Sequence, residues 1–239
     1  MALTKKVVVA VAASIAAVLV VAGCSSDDNA DSSQASSAPS SDAAKAAGLV
    51  LTQAELPAGY QVLPVPKDQI QKVSDSMLSA TRSAKVTPKC MQLSAVPAKI
   101  NTDEMGFVVA MKGVSALAQT VIVSDRTIAD FRAAVTGKCA KQKVEITEGQ
   151  AIGAKGTVTS KVIDSSNLKV KDAIVVKQES VMKLNGTTVN SSALLGFAVV
   201  DGYLVSLQSN AMGDGASPDL KAFNATFPKA IAKVKEHNS

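Results

Sequence analysis

The cysteines of this chain are the residues whose chemistry their positions indicate most clearly. Cys24 closes the tetrapeptide Val21-Ala22-Gly23-Cys24. Two small residues followed by cysteine form the pattern called a lipobox, in which the thiol receives a diacylglyceryl group and the chain is cut before the cysteine. The sequence therefore predicts that Cys24 is the lipidated first residue of an exported protein.

The residues before Cys24 have the layout of a bacterial export signal. Lys5 and Lys6 form a basic end, and an apolar run of fourteen residues follows from Val7 to Val20. A spanning helix needs about twenty apolar residues, so this run is short for one. A plain signal peptide or a membrane anchor with an incidental cysteine are the alternatives. We expect a lipid-anchored protein on the extracytoplasmic face of the cell membrane.

Cys90 and Cys139 remain once Cys24 carries lipid. Outside the cytoplasmic membrane an even pair of cysteines favours a disulfide. This bond would close a loop of about fifty residues and stabilise the fold by roughly 4 kcal/mol. A redox or metal pair is the alternative, but the chain has no Cys-x-x-Cys spacing.

The residues that usually carry out catalysis are sparse. The single histidine, His237, lies beside the C-terminus in a tail expected to fray, so a serine or cysteine nucleophile has no histidine base and a metal has few ligands. Ser166 with Lys169 and Ser180 with Lys183 match the Ser-x-x-Lys pattern of penicillin-binding enzymes, but its Lys-Thr-Gly and Ser-Asp-Asn partners are absent. We predict no enzyme activity, metal or cofactor; an enzyme would have to use carboxylates or one of these pairs.

Composition narrows the classes of ligand. Removal of residues 1–23 leaves 216 residues with 23 basic and 20 acidic side chains, a net charge of +3. No cluster of basic residues interleaved with aromatics is visible, which argues against nucleic acid as a partner. Lysines such as Lys155, Lys161, Lys177 and Lys183 are scattered singly, as on an ordinary solvated surface. The absence of tryptophan disfavours sugar and quaternary-ammonium ligands.

The chain divides into three predicted regions: a signal peptide at 1–23, the lipidated Cys24 with a flexible tether at 24–47, and one exported domain at 48–239. Residues 25–42 contain eight serines and four aspartates and almost nothing large and apolar. Such a stretch cannot bury enough surface to offset its ordering entropy. We expect a tether that reaches about 23 Å over eighteen residues.

Helices that position the domain are predicted at three places. One runs over residues 68–82, and a second is capped by Asp125 and continues to about residue 136, before Gly137 and Cys139. The third is capped by Ser217, starts with Pro218, and kinks or breaks at Pro228. Pro88, Cys90 and Leu93 start a further short turn or helix, stopped by Pro97, so the disulfide would lie between two helix ends.

Strands dominate the rest of the domain. Short strands are predicted at 107–111, 118–123, 144–147 and 157–163. Three longer ones at 174–184, 187–200 and 203–209 meet at Asn185-Gly186 and Asp201-Gly202, dipeptides that favour tight hairpins. The fold class is α+β: an antiparallel sheet, built from this three-stranded meander plus shorter strands and wet on one side, packed against helices with one disulfide.

The order of these elements resembles envelope lipoproteins of mycobacteria and other actinobacteria, in particular those related to the extracellular sensor domain of the PknH-type serine/threonine kinase. The residues that carry the resemblance are 51–57 (LTQAELP), Gly59-Tyr60, Pro88-Lys89-Cys90, the strand 120–123, residues 131–139, the turn at 201–203, and 229–234 (KAIAKV). That kinase domain has a second disulfide in its later half, and this chain has no cysteine after Cys139.

The resemblance implies a sensor-like domain that binds a ligand in a cleft beside the sheet. We therefore expect a non-enzymatic ligand-binding or sensor-like module, with an unknown small-molecule or lipid ligand and an envelope protein as a further partner. The alternative is a carrier or accessory factor for envelope lipids, motivated by the aliphatic composition. A carrier needs an apolar cavity of several hundred cubic ångströms.

Overall fold

A computed structural model describes residues 45–72, 75, 84–90, 104–147, 151–163, 170, 172–213 and 215–237. The strands in these ranges form one antiparallel sheet of nine strands in the order β1-β3-β4-β9-β8-β7-β6-β5-β2. Two α-helices with described bounds pack against it. The predicted α+β class, with an antiparallel sheet and one disulfide, is confirmed.

The elements have the following bounds. The strands are β1 Gln61–Leu63, β2 Ala84–Thr87, β3 Met105–Lys112, β4 Ser115–Val123, β5 Lys141–Ile146, β6 Lys155–Ile163, β7 Ala173–Leu184, β8 Thr187–Val200 and β9 Tyr203–Ala211. The helices are α1 Ile128–Val135 and α2 Leu220–His237, and residues 67–72 are also helical.

The predicted meander forms the centre of the sheet as β7, β8 and β9. Asn185 and Gly186 adopt φ of 50° and 80° between β7 and β8, and Asp201 and Gly202 adopt 49° and 83° between β8 and β9. Positive φ at both central residues matches the twist of the two flanking strands, and Asn-Gly and Asp-Gly reach it at low cost. The prediction is therefore confirmed, with β9 two residues longer than expected.

Helix α2 packs on one side of the sheet, which we call the α2 face. Phe223 and Phe227 are fully buried there against Val205 and Leu194. Gly196 on β8 makes this approach possible, because a Cβ at that position would lie 2.8 Å from the Phe227 ring.

Helix α1 covers the opposite side, the α1 face. Phe131 stacks on Phe197 of β8 with 4.4 Å between ring centroids, and Arg126 lies 4.0 Å above the Phe131 ring. Leu204 of β9 is buried in the same cluster. The prediction that one side of the sheet faces water is therefore wrong at Leu204 of β9, while Ser206 and Gln208 on the same side are half-buried.

Three details of the helices differ from prediction. Thr127 caps α1 in place of Asp125, and its hydroxyl accepts a hydrogen bond from Asp130 N at 3.3 Å. Asp219 caps α2 in place of Ser217, accepting from Ala222 N at 2.9 Å. Pro228 lies inside α2, which runs without a break to His237. Thr127 and Asp219 each stand one residue before their helix, where a side-chain oxygen can accept from the free N–H groups of the first turn.

The helix predicted at 68–82 is described only at residues 67–72 and 75, which are helical; its other residues lie outside the described part. Two strands of the sheet were not predicted from the sequence. β1 and β2 are three and four residues long, too short for an alternating pattern to stand out, and they form the two edges of the sheet.

The N-terminal segment lies along the α2 face. Leu49 and Leu51 are buried in the cluster around Phe227. Leu51 N donates to Gln119 Oε1 at 2.8 Å, and Lys233 of α2 contacts Glu55 at 2.6 Å. The described chain therefore enters the domain on the same side of the sheet as α2.

Candidate functional site

One half of the α2 face carries a dense set of lysines. Charged residues alternate with uncharged ones along β2, β5, β6 and β7, and the strand register places all of these charges on one side. We call this surface the lysine face. Its lysines are Lys85 on β2, Lys141 and Lys143 on β5, Lys155 and Lys161 on β6, and Lys177 and Lys183 on β7.

The side assignment follows from the alternation of side chains along strands. Val175 of β7 packs in the cluster under α2, so Lys177, two residues further on, points to the same side. Directly paired residues of antiparallel strands share a side, which carries the assignment across β6, β5 and β2. On the opposite side the same four strands carry no charged residue.

The lysine face concentrates the charge of the protein. It holds seven lysines and two acids, Glu145 and Glu179, a net of +5. The whole chain after residue 23 has a net of only +3, from 23 basic and 20 acidic side chains. The rest of that chain is therefore net acidic, and the positive charge is segregated onto one surface.

Two lysine pairs face each other directly across strands: Lys161 opposite Lys177, and Lys155 opposite Lys183. Their Cβ atoms are about 5 Å apart in such pairing, and like charges there are destabilising. The two glutamates relieve one partner of each pair. Lys155 Nζ contacts Glu145 at 2.8 Å, and Lys177 Nζ contacts Glu179 at 2.7 Å.

The other lysines of this face keep their charge available. The structure shows no ion pair for Lys141, Lys143, Lys161 or Lys183 within the described residues, and all four are exposed. The hydrogen bond from Lys155 and then its charge lower the pKa of Glu145, with a smaller contribution from the charge of Lys85, so this acid stays ionised.

Hydroxyl groups lie among the lysines. Thr157 of β6 lies opposite Lys143 of β5 and Val181 of β7, and Thr159 lies opposite Lys141 and Glu179. Ammonium groups and hydroxyls are hydrogen-bond donors that suit phosphate and carboxylate oxygens. Nucleophile, base and orienting group are not brought together on this face, so the arrangement is suited to binding anions.

The disulfide lies at the edge of the lysine face. Cys90 and Cys139 are bonded, with 5.9 Å between their Cα atoms. Cys90 lies three residues beyond β2 and Cys139 two residues before β5, so the bond fastens the edge strand to its single neighbour. The predicted disulfide is confirmed. Its predicted place between two helix ends stays a prediction: Cys139 lies in a 3₁₀ turn after α1, Gly137–Ala140, and the residues that follow Cys90 lie outside the described part.

The predicted serine–lysine pairs are not assembled where the structure describes them. Ser180 is 2% exposed and its Oγ lies 2.7 Å from Ser191 Oγ. Lys183 is exposed on the other side of β7, because residues three apart in a strand point in opposite directions. Ser166 and Lys169, like Cys24, the signal peptide and the tether at 25–42, lie outside the described residues. His237 is the last residue of α2 and is exposed.

The apolar space that the structure describes beside the N-terminal segment is too narrow for a lipid. An apolar gap lies between the N-terminal segment, β3, β4, β9 and α2, with an empty volume of 180 Å³ spread so thinly that no water-sized sphere fits. Leu51, Leu117 and Thr226 are among the residues that line it. Beside it, Gln119 Nε2 is buried without a hydrogen-bond partner.

The described residues lack two further kinds of site or segment. No group of three or more histidine, cysteine, aspartate or glutamate side chains is placed to hold a metal ion among them. None of the described helices has the length and apolar character needed to cross a bilayer.

Comparisons with known proteins add little. The chain matches no protein-family model and no curated protein. Among solved structures it is similar to the X-ray structure of an uncharacterized protein from Mycobacterium smegmatis, the Rv0999 ortholog. That match has a TM-score of 0.44 and 15% identity, and covers 81% of this chain and 97% of the other. Neither family nor function follows at this level, and the resemblance to the PknH-type sensor domain stays a prediction.

Sequence reasoning missed the lysine face. In the sequence these lysines are single, scattered residues. They lie together in the fold because β2, which is distant along the chain, joins β5, β6 and β7 in the sheet. A signal was present: Lys141, Lys143 and Glu145 alternate with Gln142 and Val144. The same alternation in β7 would have indicated one charged face.

Proposed function

We propose that this protein is a lipid-anchored, non-enzymatic binding module of the cell envelope that binds an anionic ligand through its lysine face. The observation that carries the proposal is the segregation of seven lysines, two pairs of them directly opposed, on an open sheet surface. An anion placed between opposed ammonium groups removes their repulsion, so binding and folding stability gain from the same contact.

The anchor and the sensor-like role come from the sequence. The lipobox at Cys24 predicts attachment to the extracytoplasmic face of the membrane, and the resemblance to the PknH-type sensor domain suggests that ligand occupancy is passed to an envelope protein. The alternative role as a lipid carrier would need a wider space than the apolar gap beside α2, which admits no water-sized sphere.

Anion binding can be tested with immobilised polyphosphate at several salt concentrations. The chain 24–239 with Cys24→Ser keeps every residue of the described core, which begins at Ala46. We expect retention that weakens with salt, because exposed charges are screened. Lys161→Glu should lower the affinity about tenfold, a loss of about 1.4 kcal/mol.

Lys221→Glu is the matched control, since it changes the net charge equally at the far end of the molecule. Its neighbour Ala222 packs with Tyr60 and Ala110, near the opposite edge of the sheet from β2. Equal losses in the two variants would show that only net charge matters and would contradict a binding role for the lysine face.

A further inference from the structure

We propose that the anion bound by the lysine face is the phospholipid headgroup layer of an anionic membrane, so that the domain rests on the bilayer through this face. This inference rests on the proposed function and specifies its ligand. Its observations are the extent of the lysine face, its chemistry, the exposed apolar side chains at its end, and the side on which the chain enters the domain.

The extent of the face suits a surface better than a single small anion. Lysines occupy four adjacent strands and stretch along β6 from Lys155 to Lys161. With about 4.8 Å between strands and 3.4 Å per residue, the patch measures about 14 Å by 20 Å. Its charges can therefore contact several headgroups at once.

The chemistry of the face also favours many mobile headgroups over one fixed ligand. Every basic residue on it is lysine, a flexible point charge, and arginine, whose rigid fork recognises one phosphate bidentately, is absent from the described strands β2 and β5 to β7. Each lysine near an anionic bilayer strengthens binding about fivefold.

Two exposed apolar side chains lie at one end of the lysine face. Val181 of β7 is 50% exposed on the face itself, beside Thr157 and two residues from Lys183. Ile152, in the turn before β6 and three residues from Lys155, is 62% exposed. Apolar side chains surrounded by lysines are the combination that enters the boundary between headgroups and acyl chains.

The entry of the chain allows this face to reach the membrane. Leu49 and Leu51 pack under α2, so the described chain enters on the same side of the sheet as the lysine face, beside β3 toward the other edge of the sheet. Twenty residues lie between Cys24 and Lys45. If they form the flexible tether that the sequence predicts, their reach of about 25 Å would keep the domain close to the bilayer.

The test is lysine footprinting of the mature lipidated protein in vesicles. One set of vesicles contains phosphatidylcholine alone and the other adds phosphatidylglycerol; an amine-reactive reagent labels exposed lysines, and mass spectrometry reads each site. We expect Lys143, Lys161 and Lys183 to be labelled several-fold more slowly in the anionic vesicles. High salt should abolish this protection. Lys112 and Lys221, at the other end of the sheet, should not change.

The possible failures are distinguishable. Equal labelling of the lysine face in the two vesicle types would overturn the headgroup contact, and retention on polyphosphate would then leave the proposed anion binding intact. Protection that spreads equally to Lys112 and Lys221 would also overturn it, because a general approach to the bilayer explains that result. An intact mass without lipid on Cys24 would instead contradict the anchor, which belongs to the proposed function.

Discussion

Lys161 stands directly opposite Lys177 across the β6–β7 pair, with both side chains on the α2 face of the sheet. Glu179 contacts Lys177 at 2.7 Å, and within the described residues Lys161 has no such counter-ion. Facing like charges reduce the stability of a sheet. The arrangement therefore costs folding energy, and under the proposed function a bound anion would relieve this cost.

Reversing the charge of Lys161 separates stability from binding. Lys161→Glu turns the repulsive pair into an attractive one, so the free energy of unfolding should rise by about 0.2 to 1 kcal/mol while polyphosphate affinity falls. Urea denaturation measures the first quantity. A variant that loses both stability and affinity would indicate that Lys161 has a structural role, and Lys221→Glu controls for net charge.

The disulfide should stabilise the edge of the lysine face. Cys90→Ser with Cys139→Ser removes the link between β2 and β5, and the chain-entropy estimate for the 49-residue separation is a loss of about 4 kcal/mol. Guanidinium unfolding measures the loss. Hydrogen exchange should show the amides of β2 opening most, since β5 is the single strand paired with this edge.

An unchanged hydrogen-exchange rate of the Val86 amide in that double variant would mean that the hydrogen bonds to β5 keep β2 in the sheet without the disulfide. Thiol counting on the untreated protein should find neither Cys90 nor Cys139 reactive, and labelling of either thiol would contradict the bond.

Glu55 joins the N-terminal segment to α2 in a pH-dependent way. Burial by itself would raise the pKa of Glu55, but hydrogen bonds from Lys233 and Thr52 outweigh it and lower the pKa to about 2. A depressed pKa means that the stabilisation is complete above the ordinary value of 4.5 and is lost as the pH falls through 2.

Glu55→Gln should therefore lower the free energy of unfolding at neutral pH, by about 1 kcal/mol for a partly exposed pair. The difference from the parent protein should shrink between pH 4.5 and 2 and vanish below that. Urea unfolding across this range measures it. A difference that stays constant with pH would show that the amide disturbs packing and that the charge of Glu55 is unimportant.

Gly196 sets the distance between β8 and α2. Gly196→Ala would place a methyl group 2.8 Å from Phe227 and 2.9 Å from Phe223, both buried side chains with no room to move. We expect a loss of about 1 to 3 kcal/mol in thermal or chemical unfolding. Gly48→Ala, where a Cβ meets nothing within 4 Å, is the control and should change stability little.

The parts of the fold that could be predicted are those fixed by local signals. Asn185-Gly186 and Asp201-Gly202 define two hairpins by their own backbone preferences, and the meander follows from them. The predicted helix caps, Asp125 and Ser217, each lie two residues before the observed ones. Both are good capping residues, and tertiary packing selects between such neighbours.

The candidate site could not be predicted in the same way. Lys85 and Lys143 lie on neighbouring strands because β2 pairs with β5. This pairing could not be predicted, since β2 is only four residues long. Strand order depends on packing over the whole sheet. Helix α2 covers only the ends of β6 and β7 around Ile163 and Val175, and the lysines of these strands lie beyond it. The one-sided alternation within each strand was visible, but the joining of four strands into one face was not.

Cys24→Ser tests the lipid anchor. Together with substitutions in the lysine face, it separates attachment by lipid from attachment by charge. The variant should lose the mass of the diacylglyceryl group and leave the membrane fraction after a high-salt wash. At low salt the lysine face should retain part of the protein on anionic membranes, since it supplies an electrostatic contact independent of the lipid. Adding Lys161→Glu should reduce that salt-sensitive part, and Lys221→Glu should not. A full membrane fraction for Cys24→Ser at high salt would contradict the lipobox, because an anchor other than the lipid on Cys24 would then hold the chain.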